Sequence, residues 1–146
     1  MLPNPRVNGY LARALSHELN VVQHYLTQAC LCELWGLRDR AEALRRDAND
    51  ELSHAGLLIS RMLTLGFAPN TTQLNPVRPG RDPREMLVLD HRLEAEAVRM
   101  YAEAEHYCRR FRDAETADLF ARLLQDEQEH LECNGQNKDW DQRVLD

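Results

Sequence analysis

Helix breakers are scarce in this chain, and where they fall they leave four long uninterrupted stretches. There are six glycines and six prolines in 146 residues. Asn4-Pro5 reads as an N-cap followed by a proline at the first helical position. That stretch runs to Gly36. A second runs from about Arg38 to Leu65 and stops at Gly66, with Pro69 shortly beyond. One long loop follows, from Phe67 to about Arg81, holding Pro69, Pro76, Pro79 and Gly80. Asp82-Pro83 with Glu85 restarts a helix that reaches about Arg112. Asp113 or Thr116 caps a fourth, which reaches at least His130 and meets Gly135. β-branched residues are few and no apolar/polar alternation appears, so the chain is predicted to be all-α.

Tight joints between the first two and the last two helices make each pair antiparallel. A helix of about 26 residues is about 39 Å long. A loop of about 15 residues can stretch about 50 Å. It can therefore cross the whole bundle and set helices two and three parallel, which gives a long structureless loop a physical reason. The expectation is a four-helix bundle with a long crossover, one domain over residues 1–146. The composition, 43% apolar and 29% charged, excludes a disordered chain. No apolar run approaches the roughly 18 residues of a membrane helix, and Met1–Tyr10 has no apolar signal region. A net charge of −6 argues against nucleic acid as a partner and reads as a solvated surface. Cys30, Cys32, Cys108 and Cys133 form no CxxC pair. Cys30 and Cys32 are rotated about 200° from each other on a helix, so they cannot clasp one metal. All four are read as reduced packing residues of a cytoplasmic protein.

The chemistry lies in the acids. Glu51-Leu-Ser-His54 and Glu127-Gln-Glu-His130 are both Glu-x-x-His, which sets an oxygen and a nitrogen side by side on one helix face. Glu103-Ala-Glu-His106 has the same spacing, so spacing alone does not discriminate. The helical wheel does. Glu51 shares its face with Leu44, Ala48, Ala55, Leu58 and Met62, with Asp47 as a polar exception. Glu127 shares its face with Phe120, Leu123, Leu124 and Leu131. Glu18 lies among Leu11, Ala14, Leu15, Val21, Val22, Tyr25 and Ala29. Glu94 lies among Leu87, Ala97, Val98 and Tyr101, beside the less apolar Asp90 and His91. Glu103 sits about 180° from Glu94 and, with His106, reads as a solvated face. Each helix thus carries one core-facing Glu, and two of these have a His one turn on. Four buried like charges repel strongly, and basic partners are off-centre. Two divalent ions would balance four carboxylates, and two neutral imidazoles would complete the ligand set. Oxygen-rich ligation with one nitrogen per ion suits iron or manganese, and the arrangement matches the di-iron carboxylate bundles.

From about Val7 to His130 the sequence resembles bacterioferritin. The resemblance is carried by Glu18 in Leu-Ser-His-Glu-Leu-Asn, by Trp35-Gly36-Leu37, by Asp50-Glu51-Leu-Ser-His54-Ala55, by Glu94, and by Asp126-Glu127-Gln-Glu-His130. It implies a ferritin-like bundle and an intrasubunit di-iron centre. Glu51 and Glu127 would bridge two irons; Glu18 and His54 would complete one, Glu94 and His130 the other. Manganese or zinc could substitute. The implied activity is ferroxidation of Fe(II) to Fe(III) by O2 or H2O2. The ferric product would be stored as mineral in a dimer-based homo-oligomeric cage of 24 chains. Tyr25 matches a tyrosine near the site proposed in the family as an electron donor; a packed core tyrosine with a satisfied hydroxyl is the other reading. Asp50 reads either as helping iron inward or as a surface acid.

Two departures from the family stand out. Leu52 occupies the position of the methionine that holds haem between two chains, so this chain is expected to bind no haem, or to act as the ferroxidase partner of a haem-binding subunit in a mixed cage. After His130 the chain reads Leu-Glu-Cys-Asn-Gly135 and onward to Trp140, Val144-Leu145 and Asp146, so helix four is expected to fray early and a fifth helix to be missing. A di-iron or di-manganese oxidase or peroxidase in a small oligomer is the alternative function. It would share the same six ligands.

Overall fold

The computed structural model describes residues 4–70 and 74–136, with the backbone alone over 134–136. It has four helices: α1 (Pro5–Leu34), α2 (Arg38–Thr64), α3 (Pro83–Arg110) and α4 (Ala114–Gln136). No strand occurs among the described residues. The expected all-α four-helix bundle with a long crossover is what forms. The helix ends follow from local chemistry. The Asn4 side chain accepts from Arg6 N, and the Asp82 side chain accepts from Glu85 N, each with proline opening the helix. Asp113, not Thr116, caps α4: its Oδ1 accepts from Thr116 N at 3.1 Å and its Oδ2 from the Thr116 hydroxyl at 2.8 Å. Gly66 leaves α2 with φ at +87°, a conformation that glycine adopts without steric cost.

Both helical hairpins turn through one left-handed residue, Gly36 at φ +79° and Arg112 at φ +63°. α1 pairs with α2 and α3 with α4, and α1 also packs on α3 and α2 on α4. Tyr10 near the start of α1 reaches Glu103 late in α3, while His24 late in α1 reaches Asp90 early in α3. These two helices are therefore antiparallel, and α2 runs parallel to α3. The crossover is tied down at two points: Asn75 N donates to Asn20 Oδ1 at 2.7 Å, and Gln28 Nε2 donates to the Pro79 carbonyl at 3.0 Å. Gly80 is required near its end, because a Cβ there would meet Met86 N at 2.9 Å.

The core falls into two apolar clusters. One joins Val7–Leu15 to Leu58, Met62, Tyr101, Phe120 and Leu123. The other joins Val21, Tyr25, Ala29 and Cys32 to Ala41, Leu44, Ala48 and Met86. Each fully buried Leu or Phe adds about 1.5–3 kcal/mol. Glu18, Glu51, His54, Glu94 and Glu127 belong to neither cluster yet are themselves buried. On α1, α2 and α3 they sit at chain positions between the two, and on α4 Glu127 follows the last residues of the first.

Two expectations change. Cys32 and Cys108 are buried, but Cys30 and Cys133 are exposed rather than packed; all four are free thiols. Helix α4 passes through Gly135 to Gln136, because one glycine costs a helix only about 1 kcal/mol relative to alanine. The expected absence of a fifth helix, with Trp140 and Val144-Leu145, lies outside the described residues. No helix among the described residues is long and apolar enough to cross a membrane.

Candidate metal centre

The four helices each turn one glutamate inward. Glu18 is 0% exposed, Glu51 and Glu127 1%, and Glu94 3%. An oxygen from Glu18, Glu51 and Glu127 and a nitrogen of His54 all lie within 4.8 Å of one another, and Glu94, Glu127 and His130 form a second such group. The six residues singled out from the sequence are therefore brought together. Glu103 and His106 are exposed on the outer face.

The two central carboxylates face both imidazoles. Glu51 presents Oε2 to His54 Nδ1 at 3.3 Å and Oε1 to His130 Nδ1 at 3.4 Å. Glu127 presents Oε1 to His54 Nδ1 at 3.4 Å and Oε2 to His130 Nδ1 at 3.6 Å. Glu18 adds an oxygen 3.6 Å from His54 Nδ1. These contacts lack hydrogen-bond geometry: Glu18 Oε2, Glu51 Oε1, Glu127 Oε1 and both Nδ1 atoms are buried without a hydrogen-bond partner. Such orphans are costly. Donor atoms bound at about 2.1 Å to one ion sit about 3.0–3.5 Å apart, so the spacing and the missing partners both fit a pair of divalent cations.

The electrostatics carry the same strain. Burial, then Glu51 alongside, raises the Glu18 carboxyl well above its ordinary range. Burial would raise Glu51 too, but Glu18, His130 and His54 around it hold it well below the usual carboxylate value. Burial pushes Glu94 up to about 8, against the pull of the Tyr25 hydroxyl. Burial works to lower His54, yet Glu127, Glu18 and Glu51 hold it at about 12. Glu127 and Glu51 hold His130 at about 11 despite its burial.

An outer ring of side chains supports the inner one. Tyr25 is buried and donates its hydroxyl to Glu94 Oε1 at 2.6 Å, so it is both a packed tyrosine and a neighbour of the site. Tyr101 donates to Glu18 Oε1. His54 Nε2 pairs with Asp126 Oδ2 at 3.0 Å, and His130 Nε2 lies 3.8 Å from Asp50 Oδ2. Asp50 is exposed, and Asp47 is half-buried with its carboxyl raised to about 6 by burial. A pocket of about 310 Å³, lined by Asp50, Ser53, His54, Asp126, Glu129 and His130, opens the α2–α4 side of the centre to solvent. The sequence reading assigned no role to Tyr101 or Asp126. The signal was there: Glu18, Tyr25, Asp50, Glu51 and His54 recur 76 residues later as Glu94, Tyr101, Asp126, Glu127 and His130. The left-handed turn residues Gly36 and Arg112 keep the same offset.

The bundle is that of the ferritin-like domain, whose family model matches residues 8–134. The bacterioferritin of Rhodobacter capsulatus is 35% identical over 132 residues, which is 90% of this chain and 82% of that one. A bacterial ferritin of Synechocystis is 32% identical over 129 residues, 88% of this chain and 83% of that one. The solved structure of the Rhodobacter capsulatus bacterioferritin superposes with a TM-score of 0.93 at 33% identity, covering 99% of this chain and 90% of that one. It has a metal-free dinuclear site and haem iron in a crystallographic special position. The chain belongs to the bacterioferritin family.

Proposed function

We propose that this chain is an iron-storage ferroxidase. It takes two Fe(II) per chain at a centre within one subunit, and stores the ferric product inside a homo-oligomeric cage of 24 chains. The observation that carries the reading is that Glu51 and Glu127 each turn one oxygen to His54 and the other to His130. Those two carboxylates would bridge the ions, Glu18 with His54 would complete one position, and Glu94 with His130 the other. Bound Fe(II) supplies the electrons: two Fe(II) give two electrons to O2 or H2O2 and become Fe(III). The protein's part is to hold charge and geometry. Four carboxylates neutralise two divalent ions, and the α2–α4 pocket opens the buried site to solvent. Manganese or zinc would occupy the same donors.

This reading takes residues 1–146 as one ferritin-like unit acting in the cytoplasm, where four free cysteines are at home. It gives the chain no haem of its own, because Leu52 is 54% exposed and offers no sulfur to an iron. A methionine-bearing subunit in a mixed cage would supply haem.

The test is iron loading followed by sizing. Fe(II) is added in air at increasing ratios, and protein and iron are followed together through size exclusion. Iron far above two per chain, co-eluting with a large particle, is the expected result. Iron that stops near two per chain on a small oligomer would overturn storage and leave the di-metal oxidase.

A further inference from the structure

One buried phenol has no place in that reading. Tyr101 is wholly buried on α3, and its ring lies 5.9 Å from Phe120 in the apolar core. A phenylalanine would fill the same space. A buried hydroxyl costs stability unless something accepts from it, and here the acceptor is Glu18 Oε1, across the α1–α3 interface. The arrangement occurs twice. Seventy-six residues earlier in the chain, Tyr25 on α1 donates to Glu94 Oε1 on α3 at 2.6 Å. Each tyrosine stands seven residues after one glutamate of its own helix and reaches the glutamate of the other helix.

We propose that Tyr101 is a positioning residue for one of the two ion positions. Its hydroxyl fixes Glu18 through Oε1, the oxygen 3.6 Å from His54 Nδ1, while Oε2 has no hydrogen-bond partner, so the carboxylate is held where both oxygens can meet a cation. Tyr25 likewise anchors Glu94 by Oε1 at the other position. A glutamate has three side-chain torsions. An anchor on one oxygen removes much of the freedom that metal binding would otherwise have to remove. Outer partners of this kind change metal affinity about 10–100-fold when they are lost. The proposal rests on the reading of the six residues as a two-ion centre.

The experiment is an anaerobic Co(II) titration of the full chain, followed by calorimetry and by the visible absorption of the bound ion, for the wild type, Tyr101→Phe and Tyr25→Phe. The wild type is expected to take two Co(II) per chain. Tyr101→Phe should weaken one step about 10-fold or more and alter its absorption, leaving the other step unchanged. Tyr25→Phe should weaken the other step. Wild-type affinities and spectrum in Tyr101→Phe would overturn the proposal, as would loss of both steps with a lowered metal-free melting temperature, which would mark a packing residue. A wild type that takes no pair of Co(II) would instead remove the centre itself.

Discussion

His54 Nε2 lies 3.0 Å from Asp126 Oδ2, so the residue directly before Glu127 on α4 orients the imidazole that faces Glu51 on α2. The reciprocal contact, Asp50 to His130, is longer at 3.8 Å and is no hydrogen bond. Asp126→Asn is therefore expected to weaken binding of a divalent cation about 10–100-fold, and Asp50→Asn to weaken it less. Calorimetric titration with Mn(II) compares them; equal losses in the two variants would contradict the assignment of Asp126 as the firmer anchor.

Glu51→Ala or Glu127→Ala should abolish fast Fe(II) oxidation, because in the proposed centre each would remove a ligand from both ion positions at once. Glu103→Ala, on the outer face of α3, should leave it unchanged. Stopped-flow absorbance of the ferric product measures all three. Wild-type rates in either of the first pair would remove the site assignment.

Metal should displace protons. At pH 7 the metal-free site holds them on His54, near 12, on His130, near 11, and on Glu94, near 8, with Glu18 raised as well. Zn(II) must expel them to reach the donor atoms, so loading two ions at pH 7 should release about three protons per chain from His54, His130 and Glu94, with any held by Glu18 in addition. The sign follows directly: affinity falls as pH falls, because protons then compete better. An indicator dye in weak buffer reads the release, and a release near zero would mean that the ions bind elsewhere.

Arg112 occupies a left-handed conformation that Gly36 occupies in the equivalent turn. A non-glycine residue there costs about 1–2 kcal/mol, partly offset by the greater unfolded freedom of glycine. Arg112→Gly should raise stability by about 0.5–1 kcal/mol, and Gly36→Ala should lower it by about 1 kcal/mol. Thermal melts of the metal-free protein give both signs, and a destabilised Arg112→Gly would show that the arginine side chain holds the turn in another way.

Leu52→Met supplies the thioether that the wild-type chain lacks. Expressed with haem available, that variant should acquire an intense haem absorption, and the wild type should not. Haem bound homogeneously by the wild type alone would show that another ligand serves.

The helical wheel made the inner ring legible. Glu18, Glu51, Glu94 and Glu127 announced themselves because a charge in an apolar stripe has few stable explanations. The rejected pair, Glu103 and His106, fell on a face with no such stripe. The outer ring was not legible in the same way. Tyr101 looked like one more large residue on an apolar face, and Asp126 like any acid beside a motif. Their partners lie on other helices, and only the packing of α1 on α3 and of α2 on α4 brings hydroxyl to carboxylate or carboxylate to imidazole. Cys30 and Cys133 were misplaced for the opposite reason. A small, adaptable side chain fits inside or outside, so its burial follows its azimuth on the helix rather than its chemistry.

The shared carboxylates have a mechanical meaning. The α1–α2 hairpin carries Glu18, Glu51 and His54, and the α3–α4 hairpin carries Glu94, Glu127 and His130. Neither hairpin holds a whole ligand set, so in the proposed loaded state each ion is a rivet through both halves of the molecule. The halves cannot part without surrendering their cargo, and the cargo cannot leave without loosening the seam. Iron occupancy and the cohesion of the bundle would then rise and fall together.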